Sequence, residues 1–184
     1  MPDPTAARLA ALVRERSFAR GDFTLASGKK SPFYFNLKPT MMTAEGAWLC
    51  ARAFLDRIAP DEADLIGGLE MGAVPIVAAT AALAHAEGRR LDAFFVRKQP
   101  KEHGTKASVE GLAPGETLAG RKSVIAEDVT TTGGSALKAI ESVRAAGGEV
   151  RFALTLLDRE EGARELFEAN GVALRAVLTV RDFS

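Results

Sequence analysis

Glu127 and Asp128 stand side by side and are followed by Val129, threonines at positions 130 to 132, Gly133, Gly134 and Ser135. Ionised carboxylates accept hydrogen bonds from vicinal hydroxyls. A turn rich in glycine and hydroxyl groups at the start of a helix places several backbone N–H groups around a phosphate, the glycines allowing close approach. Charge-assisted hydrogen bonds contribute about 1.5–3 kcal/mol each, against roughly 0.3–1 kcal/mol for the helix dipole, so the N–H cradle dominates. Diol acceptors on one side and a phosphate cradle on the other point to a ribose 5-phosphate. The stretch lacks the Gly-Lys-Ser/Thr ending of a Walker A loop and the Gly-x-Gly-x-x-Gly spacing of dinucleotide binders. The plainer alternative is a strand–turn–helix junction capped by its threonines and serine.

The elements that must hold these groups are legible on either side. Val124 to Ala126 has the length and bounds of a buried strand, and helical spacing begins after Ser135 and runs to about Ala146, where Gly147 and Gly148 stop it. A second unit of the same kind lies upstream: a strand from Asp64 to Ile66, a turn from Gly67 to Gly72, and a helix from about Ala73 to Glu87. Leu91 to Val96 is a strand that feeds a basic stretch holding Arg97, Lys98, Lys101, His103 and Lys106, which is either a solvated charge run or a lid over a polyphosphate. Val150 to Leu157 is a strand ending in Asp158 and Arg159, and a guanidinium there can grip a carboxylate bidentately or pair with Asp158 or Glu160. Asp3 and Pro4 open a helix reaching about Ala19, and extended pieces follow at Phe23 to Leu25 and Phe33 to Leu37. Thr43 caps a helix to about Ile58, and a short helix, Ala163 to Asn170, precedes a last strand near Ala173 to Val180. Strands alternating with helices imply an α/β fold, a mainly parallel sheet flanked by helices with ligands at the strand C-terminal ends.

Composition narrows the function class. The 184 residues are 47% hydrophobic, enough for one sizeable core in one domain, and 24 basic residues balance 24 acidic ones, so no global field points to nucleic acid or a membrane. No stretch approaches the roughly 18 apolar residues of a membrane span, and the single cysteine, Cys50, fits a packing role in a reducing cytoplasm.

The stretch from Glu127 to Ser135 resembles the phosphoribosyl-pyrophosphate (PRPP) signature of type I phosphoribosyltransferases. Phe23 to Gly28, Ser31 to Asn36, Arg97 to Gly104 and Leu157 to Arg159 narrow the resemblance to the orotate phosphoribosyltransferase family, in the family's order along nearly the whole chain. The resemblance implies a type I phosphoribosyltransferase-like fold with a small N-terminal hood at about residues 20–40 and a mobile basic loop at about 98–112. It implies transfer of the phosphoribosyl group from PRPP to orotate, giving orotidine 5′-phosphate and pyrophosphate.

The same resemblance assigns roles. Lys101, His103 and Asp128 would be catalytic. PRPP would be bound by Arg97, Lys98, Lys101, His103, Glu127, Asp128, Val129, Thr130, Thr131, Thr132, Gly133, Gly134 and Ser135, and orotate by Tyr34, Phe35, Thr131 and Arg159. Mg²⁺ would be required but held through substrate oxygens, since no dedicated cage of protein carboxylates is evident. A homodimer sharing the basic loop across its interface is implied, with no nucleic-acid or membrane partner. The sequence departs from many relatives where they carry lysines, at Ala26 and near Met71 and Gly72; Lys29 and Lys30 either substitute for the first or are solvated loop lysines. Two alternatives share the central loop: a transferase for a purine or uracil, and a non-enzymatic PRPP-sensing regulator.

Overall fold

The computed structural model describes residues 3–24, 30–99 and 108–183. Asp3 caps the first helix, α1 (Pro4–Arg16), its carboxylate accepting from the Thr5 and Ala6 amides, and Leu9, Leu12 and Val13 form the buried stripe. The helix ends earlier than the spacing predicts. Phe18 instead opens β1 (Phe18–Thr24), because its ring is drawn into an aromatic cluster with Phe35 and Phe183 at 5.0 and 5.5 Å. β1 pairs antiparallel with β2 (Lys30–Phe35), matching Phe18 to Phe35 and Arg20 to Phe33, and the register breaks between Arg20 and Phe23.

A one-turn helix α2 (Lys38–Met41) leads into α3 (Ala44–Leu55), capped by Thr43 as expected. Then follow β3 (Leu65–Leu69), α4 (Val74–Ala86), β4 (Asp92–Val96), the two-residue β5 (Val109–Glu110), β6 (Lys122–Thr130), α5 (Gly134–Ala145), β7 (Glu149–Asp158), α6 (Ala163–Ala169), β8 (Ala173–Thr179) and a 3-10 turn, Val180–Phe183. Gly67 and Gly68 lie inside β3 rather than in the turn after it, where the Phe94 ring and the Ala126 carbonyl occupy the space that side chains would take.

The main sheet runs β5-β4-β3-β6-β7-β8, parallel throughout except for β5. Helices α1, α3 and α4 cover one face, packing Leu9, Phe54 and Ile76 against Val124, Phe152 and Leu154. The other face packs Ile140, Val143 and Phe167, from α5 and α6, onto Leu65, Ile125 and Ala153. Burying a Leu, Ile or Phe side chain contributes about 1.5–3 kcal/mol, so these two layers hold the strand ends in place. Cys50 is buried on the α3 side, and desolvation pushes its thiol up to about 12, so it packs and does not react.

Candidate active site

The chain leaves β3 through α4 toward β4 on one side and leaves β6 through α5 toward β7 on the other. The β3/β6 boundary is therefore the topological switch point, where open α/β sheets bind ligands beyond the strand ends. A cavity of about 360 Å³ opens there, lined by Lys38, Glu70, Gly72, Lys98, Glu127 and Asp128 among others. A second cavity, of about 310 Å³, is lined by Glu127, the loop from Thr130 to Ser135, and Lys138. Glu127 lines both.

β6 runs further than its apolar core because pairing with β7 continues through Val129–Leu157 and Thr130–Asp158, which carries the two acids to the sheet's end. Glu127 is 8% exposed and its Oε2 has no hydrogen-bond partner. Burial, and then the neighbouring Asp128 charge, push its carboxyl up to about 8. Asp128 Oδ1 accepts from the Val129 amide at 2.9 Å. Two adjacent carboxyls, one of them reluctant to ionise and with one oxygen unpartnered, suit hydroxyl donors or positive charge.

The loop after β6 turns through Gly133, which sits at φ 85 and N-caps the 12-residue α5 without a side-chain cap. The first turn of α5 holds no acid either. Its amides are thus left for an external acceptor, which disfavours the reading of the threonines and serine as caps. Thr130 Oγ1 is buried without a partner, while Thr131, Thr132, Gly134 and Ser135 are at least partly exposed at the loop.

The ends of β3 and β4 are tied together, since the Lys98 amide donates to Glu70 Oε1 at 2.9 Å and the Glu70 amide to the Val96 carbonyl at 2.8 Å. That tie sets Lys98 in the crevice facing the acids. Arg97 instead turns to Glu110, with 3.8 Å between charged atoms. Lys101, His103 and Lys106, like Ala26 and Lys29, lie outside the described residues.

Arg159 follows the last residue of β7 and contacts the hood. Its guanidinium lies 2.7 Å from Glu161 Oε1, donates to Ser31 Oγ at 3.3 Å and stands 5.1 Å over the Phe33 ring. Asp158 and Glu160 are engaged elsewhere, with the Glu160 amide and with Arg181. In the hood, Tyr34 is 45% exposed and 5.5 Å from Phe23, ring to ring, whereas Phe35 is 6% exposed and packs into the core. Phe35 therefore has only its backbone to offer a ligand.

Three residues escape the motif reading: Lys38 and Lys138, which line these cavities, and Glu161, which pairs with Arg159. A lysine two residues past Asn36 and an acid two past Arg159 were the available signals. Among the described residues no group of three or more His, Cys, Asp or Glu side chains is set to hold a metal, and no helix is long and apolar enough to cross a membrane.

Residues 42–172 match the phosphoribosyl transferase domain family. The orotate phosphoribosyltransferase of Bradyrhizobium sp. (strain ORS 278) is 56% identical over 177 residues, 96% of each chain. The crystal structure of Mycobacterium tuberculosis H37Rv orotate phosphoribosyltransferase in complex with Fe(III) dicitrate superposes with a TM-score of 0.84 at 38% identity, covering 98% of this chain and 99% of that one. The same enzyme in complex with PRPP gives 0.80 at 36% identity, covering 97% and 98%. A switch-point crevice built from these motifs and a likeness along almost the entire length lead to one family: the chain belongs to the orotate phosphoribosyltransferases.

Proposed function

We propose that this chain transfers the phosphoribosyl group of PRPP to orotate. The observation that carries the reading is the uncapped N-terminus of α5, set beside Glu127 with its unpartnered Oε2 and joined to β7 by the Arg159 amide's bond to the Thr130 carbonyl. The 5′-phosphate would rest on the amides and hydroxyls from Thr130 to Ser135, the ribose diol on Glu127 and Asp128, and the orotate carboxylate on Arg159, with Thr131 and Tyr34 beside the ring. The bond from orotate nitrogen to the anomeric carbon forms as the bond from that carbon to pyrophosphate breaks.

No covalent nucleophile is needed. Holding both reactants in line and favouring an oxocarbenium-like state lowers the barrier. Departing pyrophosphate gains negative charge, so cations that meet it late in the reaction raise the rate more than uniform binding would. Lys98 faces that position, and Lys38 adds a second ammonium to the crevice, supplying charge that relatives draw from the lysines this chain lacks. Lys101 and His103 are proposed to add to it from the basic loop. The unpartnered Oε2 of Glu127 fits Mg²⁺ held mainly by PRPP oxygens, with Glu127 and Asp128 nearby. Bound there, Mg²⁺ would neutralise charge on the leaving pyrophosphate.

A homodimer is also proposed, in the cytoplasm. α4 is apolar on all sides, yet of its 13 residues only Ile76, Val77, Thr80 and Ala84 are buried, and on the adjacent α3 Trp48 is 54% exposed. A helix apolar all round calls for cover on its outer face, and a second copy sharing its basic loop would supply it.

The test is loss of orotate absorbance with PRPP and Mg²⁺, beside reactions holding uracil, hypoxanthine or xanthine. Orotate-only turnover is expected. Turnover of another base would overturn the substrate assignment, and nucleic-acid retention without any turnover would favour a regulator.

A further inference from the structure

Arg159 is 7% exposed, and a guanidinium buried to that degree needs a counter-charge. Glu161 provides it, with Oε1 at 2.7 Å from Nη2. The same Nη2 reaches Ser31 Oγ, the Phe33 ring backs the guanidinium, and Nε is buried without a partner. Around this pair two backbone bonds and one side-chain ion pair hold the turn. The Arg159 amide donates to the Thr130 carbonyl at 2.9 Å, the Glu160 amide donates to Asp158 Oδ1 at 2.8 Å, and Arg181 Nε donates to Glu160 Oε2 at 2.7 Å. What can yield is the Glu161 side chain, 30% exposed against 5% for Arg159.

The geometry points to Glu161 as a positioning residue that stands in for the substrate carboxylate in the free protein, pairing with Arg159 until the carboxylate of orotate takes its place. The inference rests on the assignment of Arg159 to that carboxylate. An incoming carboxylate either shares the guanidinium with Glu161, and meets like-charge repulsion, or drives Glu161 out to solvent. Both routes weaken orotate binding relative to a site without the Glu161 charge. A base lacking a carboxylate, such as uracil, leaves the pair intact and meets no such opposition. Glu161 therefore keeps a buried cation paired between turnovers at the expense of affinity for the charged base.

The consequence is a pair of effects with opposite sign. Glu161→Gln should lower the thermal midpoint, because Arg159 loses its counter-charge. It should also lower the KM for orotate, at saturating PRPP, by about fivefold, the low end of typical coupling between competing ligands. The KM for PRPP should stay within about twofold, since the phosphate loop is untouched. A purely structural role would cost stability without tightening orotate. Glu161→Asp keeps the charge but draws it back by one methylene, and its orotate KM should fall between those of the parent and the Gln variant. If Glu161→Gln does not fold, the Asp variant decides alone.

Arg159→Ala, run in parallel, separates two failures. An unchanged or raised orotate KM in the Glu161 variants, with Arg159→Ala strongly raising it, overturns the stand-in role and leaves the assignment of Arg159 in place. An unchanged orotate KM in Arg159→Ala overturns that assignment and the stand-in role with it.

Discussion

A Cβ on Gly72 would lie 2.5 Å from Asp128 Oδ1. The loop after β3 thus closes against the carboxylate proposed to hold the ribose, and only a residue without a side chain permits it. Asp128 has little freedom to retreat, because its Oδ1 is held by the Val129 amide. A lysine here would demand a different seating of this acid.

Gly72→Ala is accordingly expected to displace Asp128 and lower kcat/KM for PRPP about 10- to 100-fold, the scale on which small misplacements act. The thermal midpoint should move by only a few degrees. Initial rates over a PRPP series, beside a thermal scan, check both halves.

Glu127 predicts a pH dependence with a definite sign. Its carboxyl is raised from 4.5 to about 8, so between those values the folded protein holds a proton that the unfolded chain has released. The stabilisation from this group, on the order of a few kcal/mol at most, is complete below about pH 4.5 and is lost as pH rises through about 8. Glu127→Gln should flatten that part of the midpoint-versus-pH curve. Diol donors and a nearby cation favour the ionised form, so PRPP–Mg²⁺ binding near neutrality should release a proton in the parent and none in the variant. Calorimetry in buffers of differing ionisation enthalpy measures this.

Gly133 sits at φ 85, and its Cβ would lie 2.9 Å from a Phe167 ring carbon. Gly133→Ala should cost about 1–3 kcal/mol of stability and raise the KM for PRPP, by disturbing the turn that aims the α5 amides. Gly134→Ala is the comparison, because its added carbon meets nothing within 4 Å. Equal loss in both would sink the distinction.

The hood should divide cleanly between fold and ligand. Phe35→Ala removes a ring buried against Phe18 and Phe183 and should cost about 3–5 kcal/mol in denaturant unfolding. Tyr34→Ala, at an exposed position, should stay within about 0.5 kcal/mol of the parent while raising the KM for orotate. Both variants need only a urea titration and an orotate series.

The sheet, its flanking helices and the phosphate loop were legible because each rests on long apolar runs or on residue types with restricted uses. β6 and α5 are placed by Val124, Ile125, Ala139 and Ile140 whatever surrounds them. Elements of one turn or two residues, such as α2 and β5, carry too few positions to show a period. Phe18 reads equally well at the end of a helix or the start of a strand until Phe183, far along the chain, supplies its partner. The pairing of Arg159 was open for the same reason: Asp158, Glu160 and Glu161 are equivalent in sequence, and only the turn, with Glu160 at φ 56, decides which reaches the guanidinium.

The hydrogen bond from the Arg159 amide to the Thr130 carbonyl has a further meaning for how such a protein can change. It ties the backbone of the proposed base anchor to the strand that leads into the proposed phosphate loop, so the spacing of the two backbones is set by two neighbouring strands. Changes in the hood can then alter what surrounds the Arg159 side chain without moving its backbone. On the proposed assignment, a different base could be accommodated by what projects from the β7 turn while the loop after β6 keeps its place.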